Sequence, residues 1–242
     1  MSLLAVEQLD ARHGQLQAVR DVSFAIEEGE ILALIGANGA GKTTLLRAVA
    51  GAHRISGGRI LFDGRDVSSA RANRRVGLGI TLVPEGRRLF AGMTVEENLL
   101  VGAASERRGR WNVDTVLDAF SMLRPLMKRR AGDLSGGQQQ ATAIGRSLMS
   151  NPRVLLVDEL SLGLSPVAVE QVYESLQAVI ASGATIVLVE QDLGRALRVA
   201  TRVACMLEGR IVLEGRATEV TRESVTEAYF GLKRPSRQGG TP

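Results

Sequence analysis

The sequence holds a single cysteine and few aromatic residues, and each shortage excludes something. One cysteine, Cys205, rules out an internal disulfide, and its apolar setting "VACML" marks it as a small buried hydrophobe. Aromatics make up 3% of the chain, too few for the stacking platforms on which single-stranded nucleic acid is held. No apolar run reaches the roughly 18–20 residues that cross a bilayer. The N-terminus "MSLLAVEQLD" has no basic lead-in and meets Glu7 early, unlike a signal peptide. A strong charge imbalance is also missing: the net charge is +4 and the basic residues are scattered. No nucleic-acid partner is therefore expected, despite a pI near 9.8. A soluble intracellular chain is the expectation, with any work at a membrane requiring a partner that holds it there.

What is present is an ordinary globular composition, 45% hydrophobic and 23% charged over 242 residues. Short strands are predicted in "LLAVEQL" and "VRDVSFAI", closed by "EEGE", and again in "GGRILFDGRDV" (57–67). "ILALI" (31–35) is a wholly apolar run of the kind found in a parallel strand covered on both faces, and "VLLVDE" (154–159), "TIVLVEQ" (185–191) and "RVACML" (202–207) are three more buried-strand candidates. The last is predicted to form a hairpin with "RIVLEG" through Glu208 and Gly209. Helices separate the strands, notably at 165–183, where Ser165 and Pro166 supply an N-cap and a first-turn proline. The alternation implies a layered α/β core. Residues 94–150 break the rhythm. Thr94 and Glu97 fit a capping box, and Val113, Val116, Leu117, Phe120 and Leu123 recur on one helical face. The expected organisation is one domain over 3–230 with a small helical lobe inserted at about 94–150. A flexible basic tail is expected over 231–242.

"GANGAGKT" (36–43) fits G-x-x-x-x-G-K-[ST] in full, with an apolar strand before it and a helix after it. Such a loop aims backbone amides at phosphate oxygens, reinforced by the helix N-terminus. Gly36, Ala37, Asn38, Gly39, Ala40, Gly41, Lys42, Thr43 and Thr44 are accordingly the candidate triphosphate-binding residues. Lys42 would reach the β- and γ-phosphates and the Thr43 hydroxyl would ligate magnesium. A carboxylate at a nearby strand end completes such a site. In "VLLVDE", strand alternation sends Asp158 and Glu159 opposite ways, which assigns Asp158 to the metal and Glu159 to the attacking water.

"DLSGGQQQ" (133–140) is a second helix start suited to an anion, almost a hundred residues later. Together "GANGAGKT", "LSGGQ", "VLLVDE" and "SLGLSP" resemble the nucleotide-binding subunit of an ATP-binding cassette (ABC) transporter, and the similarity covers about residues 3–230. "LVPEGRRLFAGMTVEENLLVGA" and "LVEQD" are similar to one of the two ATPases of bacterial branched-chain amino acid importers, the "VPEGRR/VEQ" type. The resemblance implies a P-loop core with a mostly parallel sheet, an N-terminal antiparallel β subdomain and an inserted helical lobe. It implies ATP and Mg2+ as ligands, and ATP hydrolysis coupled to amino acid transport. It also implies a head-to-tail pair of cassette subunits, identical or sister chains. Ser135, Gly136, Gly137 and Gln138 of one would close over ATP held by the loop of the other. The remaining implied partners are transmembrane permease subunits, which would hold the chain on the cytoplasmic face of the cell membrane, and, indirectly, a solute-binding protein.

Four positions depart from the wider family pattern. His13 stands where an aromatic residue stacks on adenine, and an imidazole can stack over a smaller area. Glu85 replaces the glutamine that ligates magnesium, and a carboxylate is a competent ligand for that ion. Gln191 replaces a histidine beside the γ-phosphate; as a catalytic residue its amide can donate a hydrogen bond to phosphate or water but cannot take up a proton at neutral pH, which leaves Glu159 as the base. Leu160 replaces a proline, relaxing the backbone limit on Glu159. Leu160 and Gln191 also admit a slowly hydrolysing nucleotide switch, and a urea or short-amide importer is the alternative to a branched-chain one. Cassette ATPases of DNA repair or translation use tandem cassettes or long coiled coils, and neither is present.

Overall fold

A computed structural model describes residues 2–229; the basic tail expected over 231–242 lies outside them. The chain begins with two long strands, β1 (Leu4–His13) and β2 (Leu16–Ile26), followed by the short β3 (Ile31–Ile35). Helix α1 (Lys42–Val49) follows the glycine loop, and β4 (Ile55–Phe62) and β5 (Arg65–Asp66) return to the first two strands. β2, β1, β4 and β5 form an antiparallel sheet in that order. Next come α2 (Ala72–Leu78), β6 (Ile80–Val83), α3 (Val95–Gly102), α4 (Val113–Ala119) and α5 (Gly136–Leu148). The remainder alternates: β7 (Val154–Asp158), α6 (Pro166–Ala181), β8 (Thr185–Glu190), α7 (Leu193–Val199), β9 (Arg202–Leu207), β10 (Arg210–Arg216) and α8 (Arg222–Tyr229). Its sheet runs β10-β9-β3-β8-β7-β6, parallel except for the β9–β10 hairpin.

The apolar runs read as doubly covered strands behave as such. β3, β7 and β8 are buried at every residue. Alternate side chains serve opposite faces. Leu32, Leu34, Leu156 and Val187 pack with α1 and the antiparallel sheet, whereas Leu155, Val157, Ile186 and Leu188 pack with the helices of the other face. α1 is thus held between two sheets, which fixes the loop that precedes it.

The helical region between β6 and β7 packs onto the sheet, and one detail of it differs from the sequence reading. Val95, Leu99, Val116 and Phe120 share one apolar cluster with the sheet residues Leu155 and Val157, so the region has no core of its own. The five-residue helical face is interrupted. α4 ends at Ala119, Phe120 adopts φ −121°, and Leu123 lies on a 3-10 segment that contains Pro125. All four residues from Val116 to Leu123 in that set are nonetheless buried, because 3-10 turns continue the same face inward. The Thr94–Glu97 capping box and the Ser165 cap form as expected, and Ser135 and Gln138 make a further capping box at the start of α5.

Candidate functional site

The loop between β3 and α1 opens onto a cavity of about 380 Å³ lined by Asn38, Gly39, Gly41, Lys42, Thr43, Thr44, His13, Glu85 and Glu159. Gly36, Ala37 and Ala40 of the same loop are not among the lining residues; Gly36 and Ala40 are buried and Ala37 is exposed. Gly41 shows why the loop needs glycine. Its φ of 103° is foreign to L side chains, and an added Cβ would lie 2.2 Å from the Ala18 carbonyl oxygen on β2.

Lys42 is almost wholly buried. Its Nζ donates to the carbonyls of Gly36 (2.7 Å) and Ala37 (3.0 Å) and lies 3.9 Å from Glu159 Oε1. The lysine is thus folded back on its own loop. Burial holds its pKa below the usual value, opposed by the charges of Glu159, Asp158 and Glu190. Thr43 Oγ1 donates to Asp158 Oδ1 at 2.9 Å. Burial pushes the Asp158 carboxyl up to about 6, against the pull of that hydrogen bond, and nearby Glu85 adds to the rise.

The expectation that strand alternation separates Asp158 from Glu159 is corrected. β7 ends at Asp158, and Glu159 turns into the left-handed region with φ 50°. Both carboxylates therefore approach the Lys42–Thr43 pair, and they differ in partner: Asp158 takes the threonine hydroxyl, Glu159 the lysine. The residue after Glu159 bears on this. Proline restricts the residue before it to extended backbone, and Leu160, buried in the core, sets no such limit.

Magnesium suits these residues. Asp158 Oδ2 is buried without a hydrogen-bond partner, and Thr43, Asp158 and Glu85 offer the hard oxygen donors that this ion prefers. Among the described residues no three His, Cys, Asp or Glu side chains group as a metal site, so these donors would act together with phosphate oxygens.

His13 is exposed at the cavity mouth. Its Nε2 shares a 3.1 Å hydrogen bond with Thr44 Oγ1, and its ring lies 4.5 Å from that of His53. Gln191 follows β8 but does not line the cavity, and its backbone N–H donates to Glu190 Oε2. Ser135, Gly136, Gly137 and Gln138 are not brought to the cavity either. They form the start of α5, with Ser135 exposed and Gly137 packed against Ala168. The sequence reading missed Leu16, Ala18 and Leu162, which complete the cavity wall. Leu16 and Leu162 are exposed apolar residues in or beside turns, where no periodicity marks them.

The sequence matches the ABC transporter family over residues 19–161. It is 40% identical over 232 residues to the high-affinity branched-chain amino acid transport ATP-binding protein BraG of Pseudomonas aeruginosa, covering 95% of this chain and 100% of that protein. The probable branched-chain amino acid transport ATP-binding protein LivF of Archaeoglobus fulgidus is 34% identical, with 90% of this chain and 94% of that protein covered. Among solved structures, the ADP conformation of an ATP-binding cassette of an ABC transporter matches with a TM-score of 0.79 at 28% identity, covering 96% of this chain and 99% of that one.

Proposed function

Because the chain belongs to the ABC transporter family, we propose that it is the ATP-hydrolysing subunit of an importer for branched-chain amino acids. The observation that carries the reading is the convergence of Lys42, Thr43 and Glu159 on one cavity whose loop, helix and strand ends are all prearranged.

In this reading the amides of the glycine loop and Lys42 hold the β- and γ-phosphates, with Lys42 exchanging its loop carbonyls and Glu159 for phosphate oxygens. Thr43, Asp158 and Glu85 would hold magnesium, which supplies neutralising charge at the phosphate oxygens. Released from Lys42, Glu159 orients the attacking water and takes its proton. His13 offers its ring to the adenine at the cavity mouth. Ser135, Gly136, Gly137 and Gln138 stand clear of the cavity of their own chain and cap the nucleotide of a second cassette subunit. That pairing is stable with ATP between the subunits and loosens when the γ-phosphate is lost.

Among the described residues no helix is long and apolar enough to cross a membrane, so attachment falls to permease subunits at the cytoplasmic face. A groove lined by Val76, Leu82, Pro84 and Val101 suits a cytoplasmic helix of such a partner. Phe90 and Leu100 are exposed apolar residues in the same part of the chain.

Phosphate release by wild type and Glu159→Gln tests the reading, together with size-exclusion chromatography in ATP. Wild type is expected to turn over, the variant to be slower by about 100-fold or more, and the variant to collect as an ATP-dependent dimer. Equal, near-zero rates would refute the motor. Uptake of leucine, isoleucine and valine by the co-purified transporter tests the solute, and transport of urea or short amides instead would reassign it.

A further inference from the structure

Strand β8 is buried along its whole length and yet ends on a carboxylate. Glu190 is 1% exposed, and each of its oxygens has two donors. Oε1 accepts from the hydroxyls of Tyr173 and Ser161, the latter at 3.1 Å. Oε2 accepts from the backbone N–H groups of Gln191 (2.8 Å) and Asp192 (3.2 Å). The four donors come from three places: α6, the loop that follows Glu159, and the turn that carries Gln191. A charge taken out of water this completely is tolerated only where its lone pairs are filled. An apolar residue would have suited the strand at less cost.

The position in the sheet gives the cluster its meaning. β8 lies between β3 and β7. Glu190 is level with Ile35, the residue before the glycine loop, and Val189 is level with Asp158. The carboxylate therefore sits where the loop of residues 36–43, the Glu159 turn and the Gln191 turn all leave the sheet. Tyr173 is a fixed donor there, because burial and the neighbouring negative charge both raise its pKa above that of an ordinary phenol.

We propose that Glu190 is a positioning residue for ATP turnover, tying the Ser161 loop and the Gln191 turn into one rigid unit anchored on Tyr173. The inference rests on the ATPase reading above. Ser161 is two residues beyond Glu159, and the two N–H bonds set the backbone from which the Gln191 side chain departs. A hydrogen-bonded hub of this kind makes the two segments move together when a partner subunit closes over them.

The test measures kcat, KM for ATP and thermal unfolding for wild type, Glu190→Gln, Tyr173→Phe, Gln191→Ala and the Glu190→Gln/Gln191→Ala pair. Glu190→Gln keeps the shape and loses the charge. It is expected to lower kcat by about tenfold with KM for ATP within about twofold, since the loop of residues 36–44 is untouched. Tyr173→Phe is expected to act in the same direction by about threefold. In the pair, the two losses are expected to combine to less than their product, as for residues acting as one unit. Both Glu190→Gln and Tyr173→Phe holding kcat within about twofold of wild type would overturn the role. So would losses confined to the unfolding temperature and the folded fraction, with kcat per folded site unchanged. Should Glu190→Gln fail to fold, Tyr173→Phe decides by the same criteria. A wild-type protein that releases no phosphate refutes the ATPase reading itself, whereas wild-type turnover with unaltered variants refutes only the role of Glu190.

Discussion

Thr43 and Asp158, 115 residues apart, are joined by a 2.9 Å hydrogen bond from the threonine hydroxyl to a buried carboxylate oxygen. The bond ties the first turn of α1 to the end of β7. It is the only donor found for Asp158 among the described residues, because the other oxygen has no partner. Thr43→Val keeps the shape and removes the donor, leaving a buried carboxylate unpaired. We expect a loss of about 1–3 kcal/mol in magnesium-free buffer, read from the midpoint of urea unfolding. An unchanged midpoint would mean that the contact contributes nothing to the empty protein.

Leu160→Pro probes the left-handed turn. Proline would exclude the φ of 50° at Glu159 and remove a fully buried leucine from the cluster around Val157 and Leu188. A loss of about 2–4 kcal/mol is expected, together with an altered phosphate-release rate. Retention of both stability and rate would show that neither the packing of Leu160 nor the geometry of Glu159 depends on this residue.

Arg75 caps the far end of α1. It is 1% exposed and donates to the carbonyls of Ala48, Val49, Ser68 and Ala70 at 2.7–2.9 Å. Burial brings its pKa down to about 10, so it stays charged at neutral pH. Arg75→Met would fill much of the space and strand these carbonyls. The expected cost is about 3 kcal/mol, measured as a shift in denaturation midpoint.

Tyr173 sets a pH dependence. An ordinary phenol titrates near 10; burial first, then the charge and hydrogen bond of Glu190, raise this one further. Above about pH 10 the unfolded chain releases a proton that the folded chain keeps, so stability falls as pH rises from there. The contribution is complete below that pH. Tyr173→Phe lacks this slope. The advantage of wild type over the variant should therefore shrink between about pH 9 and pH 11 in urea titrations.

Arg75 also marks the limit of reading this fold from its sequence. β3, β7 and β8 are legible because a doubly covered strand is apolar along most of its length, and α6 because Ser165 and Pro166 announce it. α2 carries no such sign, since its one buried residue is an arginine and an apolar period has nothing to register. Glu190 was hidden for the same reason: a carboxylate at the end of an apolar run reads as the run's edge, and only the fold brings Tyr173 and Ser161 to it. The loop, Lys42, Thr43 and the acidic pair were legible from local chemistry. The turn at Glu159 was not, because strand alternation stops at the last paired residue and nothing in "VDEL" says which residue that is.

The clamp on Gly41 has a final consequence. With the Ala18 carbonyl and the Gly209 backbone both packed against Gly41, and Gly209 N–H donating to the Ala40 carbonyl, the phosphate loop is moulded by its surroundings before any nucleotide arrives. The cost of shaping it falls once, at folding, instead of at every catalytic cycle, so an incoming triphosphate loses little affinity to ordering its own receptor.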